Sequence, residues 1–297
     1  METPTVTRFA PSPTGHLHLG HAHAALFAWR KVRKCGGRFL LRIEDIDMER
    51  CRPEFERDLM ADLAWLGEGL SEFSWEQPVR RQSDCLADYA QALVRLEGMG
   101  LLYPCFCTRA QIRAEIGQAV TASHGPDGPL YPGLCRGLGL KEQAARREGG
   151  ESYALRLDMA KAIKLATEME EERETGKGGL LKWRDAVKGI IAARPGVHGD
   201  VVLARKDIAT SYHLAVTLDD HSQGVTLVTR GEDLFAATHV HRLLQALLGL
   251  YVPDYHHHGL IMGPDGQRLA KRDKAATLRE LREDGVTPVE ARKMAGF

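Results

Sequence analysis

Two histidines and a glycine fall in Arg8-Phe9-Ala10-Pro11-Ser12-Pro13-Thr14-Gly15-His16-Leu17-His18-Leu19-Gly20-His21, where an extended segment should turn into a helix. Pro11, Ser12, Pro13 and Gly15 break the extended start, and the apolar pattern Ala24, Ala25, Leu26, Ala28, Trp29, Val32 begins directly behind them. A helix N-terminus at that point offers free N–H groups and the positive end of a dipole to phosphate. His18 and His21 can donate ring N–H groups to phosphoryl oxygens as charge builds up, and Gly20 lets a nucleotide approach the backbone. The chemistry would be electrostatic, with no protein nucleophile. Taken singly, such a turn is better read as a solvated loop. Near the other end, Gly263-Pro264-Asp265-Gly266-Gln267-Arg268-Leu269-Ala270-Lys271-Arg272-Asp273-Lys274 is a turn with a basic cluster, and Lys271 there suits a phosphate clamp.

Cys105-x-Cys107 followed by Tyr131-x-x-x-Cys135 supplies three thiolates and a phenol, a donor set that suits tetrahedral zinc. The fourth ligand is open between Tyr131 and His124. Four protein ligands leave no free position, so such a zinc would be structural. Cys35, Cys51 and Cys85 read as ordinary thiols. In His256-His257-His258 adjacent side chains on an extended chain alternate sides and cannot all reach one ion, and His258 is expected to pack near the nucleotide corner. An amino acid with an acidic side chain needs a guanidinium for each carboxylate and an acceptor for its ammonium. Arg8 and Arg230 can supply the forks and Glu44 the ammonium partner.

These groups must be positioned by a chain of 297 residues, long enough for two compact units with one inserted in the other. Thr5 to Phe9 and Phe39 to Ile43 read as strands flanking a helix from His21 to Lys34, a βαβ unit with its ligand corner at the end of the first strand. Helical patterns continue through Glu54 to Leu66 and Cys85 to Met99. From Tyr103 to about Arg194 the sequence reads as an irregular inserted subdomain, with a charged, solvated stretch from Glu168 to Lys182. Val201 to Ala204 and Val225 to Val228 read as strands rejoining the parallel sheet, backed by an apolar helix from His239 to Leu250. The expected division is 1–102 and 195–262 for the two halves of the catalytic unit, 103–194 for the insert and 263–297 for the basic loop with a short helical end. Lys+Arg and Asp+Glu number 40 each, which argues against a globally basic nucleic-acid binder, so any RNA contact must be a local patch. The start shows neither a secretory signal nor a membrane span, and six cysteines are too few for a disulfide scaffold, so a cytoplasmic, reducing compartment is expected.

The His18-Leu19-Gly20-His21 and Arg268-Leu269-Ala270-Lys271-Arg272 runs resemble the HIGH and KMSKS signatures of class I aminoacyl-tRNA synthetases. Arg8 to Gly15, Arg42-Ile43-Glu44-Asp45-Ile46-Asp47, Tyr212-His213-Leu214-Ala215-Val216, Asp219-Asp220-His221 and Thr229-Arg230-Gly231-Glu232-Asp233-Leu234 resemble the glutamyl branch of that family. The resemblance implies an α/β fold: a Rossmann-type parallel-sheet catalytic domain, an inserted zinc-binding subdomain facing the tRNA acceptor end, and a short helical C-terminal segment. It implies Arg8, Phe9, Ala10, Pro11, Ser12 and Glu44 around L-glutamate, Tyr212 and Arg230 closing the pocket, and His18, Gly20, His21 and Lys271 on ATP with its Mg²⁺. His18, His21 and Lys271 would stabilise the transition state of adenylate formation. It also implies Cys105, Cys107, Tyr131 and Cys135 as ligands of one structural Zn²⁺. The basic loop departs from the usual pattern at Arg268 and Ala270, while Lys271 remains.

Little sequence comes after that loop, whereas the glutamyl enzymes carry a large helical anticodon-binding region there. The chain is therefore similar to the short paralogues that attach glutamate to the cyclopentenediol of queuosine in tRNA(Asp), and a monomer is expected. Thr287 to Phe297 resembles the start of the corresponding region in the longer enzymes, which keeps open a truncated enzyme that charges the tRNA 3′ end. A small nucleotidylyltransferase and a tRNA-binding module without catalysis are the rival classes.

Overall fold

The computed structural model describes residues 4–71, 73–118, 124–126, 128–173, 179–261 and 276–297. Strands Val6–Phe9 (β1) and Arg38–Ile43 (β2) pair in parallel with Val6 opposite Arg38, and helix Leu19–Arg33 (α1) makes the crossover between them. The expected βαβ unit is present to within two residues at each boundary. Helix Pro53–Leu66 (α2) follows, with Pro53 at its first turn where a missing N–H costs nothing. A short strand Arg80–Arg81 (β3) extends the sheet in parallel beside β2 and leads into helix Leu86–Gly98 (α3).

The segment expected to be irregular carries regular elements: strand Leu102–Cys105 (β4), helix Arg109–Gln118 (α4), the short pair His124–Gly125 (β5) and Gly128–Pro129 (β6), helix Leu140–Glu148 (α5), strand Ala154–Leu157 (β7), helix Met159–Arg173 (α6), and hairpin strands Lys182–Asp185 (β8) and Gly189–Ala192 (β9). The reason the sequence concealed them is plain in α5, which buries none of its residues and so has no apolar stripe to read. Strand Val202–Ala204 (β10), helix Tyr212–Ser222 (α7), strand Leu227–Gly231 (β11), helix Ala237–Leu248 (α8), strand Asp254–His258 (β12) and helices Leu278–Glu283 (α9) and Pro288–Met294 (α10) complete the described chain.

Strand β12 pairs in parallel with β11, Leu227 facing Asp254, and on its other side with β8, where Tyr255 faces Asp185. The edges of β1 and β11 are tied by Thr226 N–H to Val6 O (2.9 Å) and Val6 N–H to Thr226 Oγ1 (2.9 Å). Val201–Ala204 does not rejoin this parallel sheet as expected. Val202–Ala204 pairs antiparallel with β7, which pairs antiparallel with β4, while β8 from within the expected insert pairs with β12. Apolar alternation identifies a strand but carries no information about which edge it meets.

One apolar core lies among α3, α6, α7 and α8, a second beneath α1, α2, α9 and α10, and a third, around Trp183 and Tyr255, lies between β1, β2 and the β8–β11–β12 side. All twelve residues of α8 are buried, polar ones included, because it is sandwiched between layers. The segment from Thr277 onward is fastened to the histidine turn: Leu278 N–H donates to Leu17 O (2.8 Å) and Thr277 bridges to His18. Helices α9 and α10 each open on a Thr/Glu capping box, Thr277 with Glu280 and Thr287 with Glu290. The basic run 263–274, with Arg268, Ala270 and Lys271, lies outside the described residues.

Arg292, 9% exposed, donates to Leu66 O (2.7 Å) and Glu68 O (2.8 Å), the carbonyls left open at the end of α2. Arg292→Ala should lower unfolding stability by about 1–3 kcal/mol, because buried acceptors lose a charged donor. Denaturant titration checks this, and an unchanged midpoint would refute the capping role.

Candidate active site and thiol cluster

The turn ahead of α1 is held by its own histidines. His18 is extended (φ −127°, ψ 177°), its Nδ1 accepts Gly20 N–H (3.0 Å), and its own N–H donates to His21 Nδ1 (3.1 Å), with the ring centroids 3.9 Å apart. Two imidazoles thus make a capping box that usually needs Ser and Glu. Because both Nδ1 atoms accept, each neutral ring carries its proton on Nε2, the donor a phosphoryl oxygen requires. A Cβ on Gly20 would stand 2.8 Å from His18 Cε1, so glycine here also makes room for the capping ring.

Beside this corner is a cleft of about 320 Å³. Arg8, Phe9, Ala10, Pro11, Ser12, Glu44, Tyr212 and Arg230, the residues expected around glutamate, all line it, together with His21. A larger cavity of about 500 Å³ shares Ser12, Thr14, Glu44 and Tyr212 with the cleft and reaches Tyr131 and Arg156.

Beneath the cleft is a buried network of charges that sequence reasoning missed. Arg8 does not present an unoccupied fork: its Nε and Nη2 hold Asp220 (2.8 and 3.2 Å) and its Nη1 donates to Thr229 O (3.2 Å). Arg42, fully buried, donates to Asp220 Oδ1 (2.8 Å) and Glu44 Oε1 (3.2 Å). Asp219 accepts from Arg80 Nε (2.9 Å), Gln82 Nε2 (2.8 Å) and Tyr89 OH (2.9 Å). Burial opposes the charge on Asp220, but Arg8 and Arg42 outweigh it and hold that carboxyl below its usual range. At Glu44 burial wins, and the carboxyl lies above its usual range despite Arg42 and Arg8. Arg42, Asp219 and Asp220 stand in runs that carried the family resemblance, yet no spacing rule pairs residues that far apart.

Arg230 is the contrasting case. It is 5% exposed, and among the described residues it forms no ion pair. Its guanidinium donates to His257 Nε2 (3.2 Å), Tyr212 OH (3.3 Å), His241 Nδ1 (3.3 Å) and Thr238 Oγ1 (2.5 Å). All four acceptors are neutral groups: burial, with Arg230 adding to it, holds His241 well below the usual histidine value and brings His257 down to about 4. Arginine has five N–H donors and these four bonds leave one, on Nη2.

Cys105, Cys107 and Cys135 bring their sulfurs within 4.8 Å of one another, a group that could hold a metal ion. Tyr131 OH lies 3.3 Å from Cys105 Sγ and 3.6 Å from Cys107 Sγ, and Cys107 Sγ lies 3.4 Å from Cys135 Sγ. Zinc at ~2.3 Å from sulfur and ~2.0 Å from oxygen would need edges of about 3.8 and 3.5 Å, so the set fits with small adjustment. Burial opposes ionising Cys105, but Tyr131 and Arg156 overcome it and pull the thiol below its usual value. His124 is exposed and is not part of the group.

The family model for class I tRNA synthetases (E and Q), catalytic domain, matches residues 4–294. The chain belongs to this family. A Glutamyl-Q tRNA(Asp) synthetase of Rhodobacter capsulatus is 50% identical, over 98% of this chain and 100% of that protein. A glutamate–tRNA ligase of Oleidesulfovibrio alaskensis is 38% identical, over 95% of this chain and 54% of that protein. Among solved structures, a glutamate tRNA ligase from Elizabethkingia meningosepticum in complex with its amino acid superposes with a TM-score of 0.71 at 29% identity, over 91% of this chain and 52% of that one. The chain thus spans about half the length of the solved structure it matches. As a member of a ligase family it carries the family's α/β fold with a parallel sheet, and among the described residues no helix is long and apolar enough to cross a membrane.

Within this synthetase fold the Asp220 network joins β1, β2 and α7. Arg42→Met should destabilise the chain by about 3–5 kcal/mol, because it leaves Asp220 and Glu44 short of a buried counter-charge. Calorimetry checks this, and a loss near that of an ordinary surface change would show the network to be dispensable.

Proposed function

We propose that the chain activates L-glutamate with ATP, without tRNA in that step, and transfers the glutamyl group to the cyclopentenediol of queuosine at the wobble position of tRNA(Asp). The observation that carries the first half is Arg230: a buried guanidinium ringed by neutral acceptors keeps an uncompensated positive charge, which a substrate carboxylate would neutralise. Glu44 lines the same cleft and is the acceptor for the substrate ammonium. Tyr212 OH, bonded to Arg230, closes that end.

In activation the glutamate carboxylate attacks the α-phosphorus of ATP in line, forming glutamyl-adenylate and releasing pyrophosphate. His18 and His21 donate from Nε2 to phosphoryl oxygens as charge develops, Gly20 keeps the turn open, and Lys271 assists from the basic run. Mg²⁺ bound with ATP neutralises phosphate charge. In transfer, a hydroxyl of the cyclopentenediol attacks the adenylate carbonyl and AMP leaves. The larger cavity beside the cleft gives that acceptor a route past Tyr131. The similarity to the Rhodobacter capsulatus protein over both full lengths supports queuosine-tRNA(Asp) as the acceptor. Cys105, Cys107, Cys135 and Tyr131 are proposed to hold one structural Zn²⁺ that fixes the wall of that cavity. The division of the chain at 102, 194 and 262, the monomeric state and a cytoplasmic location belong to the same proposal.

The test is transfer of [¹⁴C]glutamate to queuosine-containing tRNA(Asp), queuosine-free tRNA(Asp) and tRNA(Glu). Label on the queuosine-containing tRNA alone, surviving removal of the 3′ adenosine, is expected. Label only on tRNA(Glu), lost with that adenosine, would make the chain an end-charging synthetase. Arg230→Gln should lower kcat/KM for glutamate in ATP–pyrophosphate exchange by about 30-fold or more, since losing a buried charge partner costs ~2–5 kcal/mol. An unchanged value would remove Arg230 from the substrate site. Metal analysis of the purified protein should find one zinc per chain, lost in Cys135→Ser, and a chain isolated metal-free with full activity would sink the zinc assignment.

A further inference from the structure

Arg230 reaches the cleft from β11, yet the direction of its guanidinium is set by residues behind it. His257 lies on the neighbouring strand β12, and Asp185 ends β8, which pairs in parallel with the other side of β12. The side chains of Asp185 and His257 are fully buried. Asp185 Oδ1 accepts Val187 N–H and Lys188 N–H (both 2.9 Å), while Oδ2 faces His257 N–H (3.2 Å) and Nδ1 (2.8 Å). Burial opposes the charge on Asp185, but the bond from His257 and the backbone N–H groups overcome it and hold the carboxyl at about 2. An ionised carboxylate can only accept, so the proton of His257 sits on Nδ1 and its Nε2 presents a lone pair. That lone pair accepts Arg230 Nε–H (3.2 Å) and faces Thr238 Oγ1 (3.3 Å), which itself accepts from Arg230 Nη2. The ring proton of His257 and the Nε proton of Arg230 are therefore placed.

We infer that Asp185 is a positioning residue for glutamate selection: by fixing the tautomer of His257 it orients Arg230 toward the substrate's side-chain carboxylate. The inference deepens the proposed function and rests on glutamate being the substrate of this cleft. The isosteric change is the revealing one. In Asp185→Asn the backbone N–H groups of Val187 and Lys188, both at 2.9 Å, hold the amide oxygen at the Oδ1 position against the single, longer backbone N–H of His257 at the other, so NH₂ faces His257. The imidazole must then accept at Nδ1 and carry its proton on Nε2, against Arg230 Nε–H. In Asp185→Ala the imidazole is free to keep the useful tautomer.

Exchange kinetics over glutamate should show KM for glutamate raised about tenfold or more in D185N, with kcat and KM for ATP within about twofold. The rise should exceed that in D185A, whereas the melting temperature should fall more in D185A. A purely structural role gives the opposite ranking, the isostere being the milder change, and that ranking, or a rise in D185N below about twofold, would overturn the inference. ¹⁵N NMR of the histidine rings, with His257 assigned by the signal missing from His257→Gln, reads the relay without turnover. The unaltered chain should be protonated at Nδ1 and D185N at Nε2, and the same tautomer in both would overturn the relay. Should the unaltered chain show no glutamate-dependent exchange, the proposed function fails, and the NMR tautomers alone decide the relay.

Discussion

Asp220 is the point on which the catalytic half depends. A carboxylate in the interior is tolerable only when its charge is answered at short range, and two guanidiniums answer it, Arg8 from β1 and Arg42 from β2. Because Arg42 also holds Glu44, the acid in the cleft takes its position from the same network, and Asp219 next to Asp220 extends it to Arg80, Gln82 and Tyr89. Strands β1, β2 and β3 and helix α7 are thereby locked in one arrangement by partners more than a hundred residues apart. Apolar packing alone would tolerate small slips of α7 over the sheet, whereas a bidentate ion pair does not.

The electrostatics of the cleft arise from an asymmetry. Three buried or half-buried arginines, Arg8, Arg42 and Arg80, are neutralised by Asp219, Asp220 and Glu44, whereas Arg230 is surrounded by imidazoles and hydroxyls. Asp219 and Asp220 are committed to the framework, and among the described residues of the cleft Arg230 is the cation left for a ligand. Hydrogen bonds to neutral acceptors fix the direction of that guanidinium without cancelling its charge, the condition for binding a carboxylate strongly and in one orientation.

The thiol group has a similar relation to its surroundings. Cys105 ends β4, Cys107 comes two residues later, and Tyr131 and Cys135 come from the loop ahead of α5. Tyr131 OH also accepts Cys135 N–H (2.9 Å), and the guanidinium of Arg156 on β7 stands 3.8 Å from the centre of its ring. The cluster therefore joins the loop to the antiparallel sheet at the wall of the larger cavity, next to the cleft.

The sequence determined the elements whose signals are local. The histidine turn, α1, the first two strands and the thiol spacing were legible because turn residues, 3.6-residue periodicity and ligand spacing act over a few positions. The cleft residues were legible through motif resemblance, and the structure gathers all of those expected around glutamate on one cavity. Only the tertiary structure decided which edge each strand meets, so that β8 lies beside β12 and β10 beside β7, since backbone pairing is blind to residue type. It alone decided that Arg8 serves Asp220, and that Asp185 and His257 stand behind Arg230. Charge pairing and proton placement depend on distances between residues remote in sequence, and burial, which gives those contacts their strength, exists only once the layers have packed.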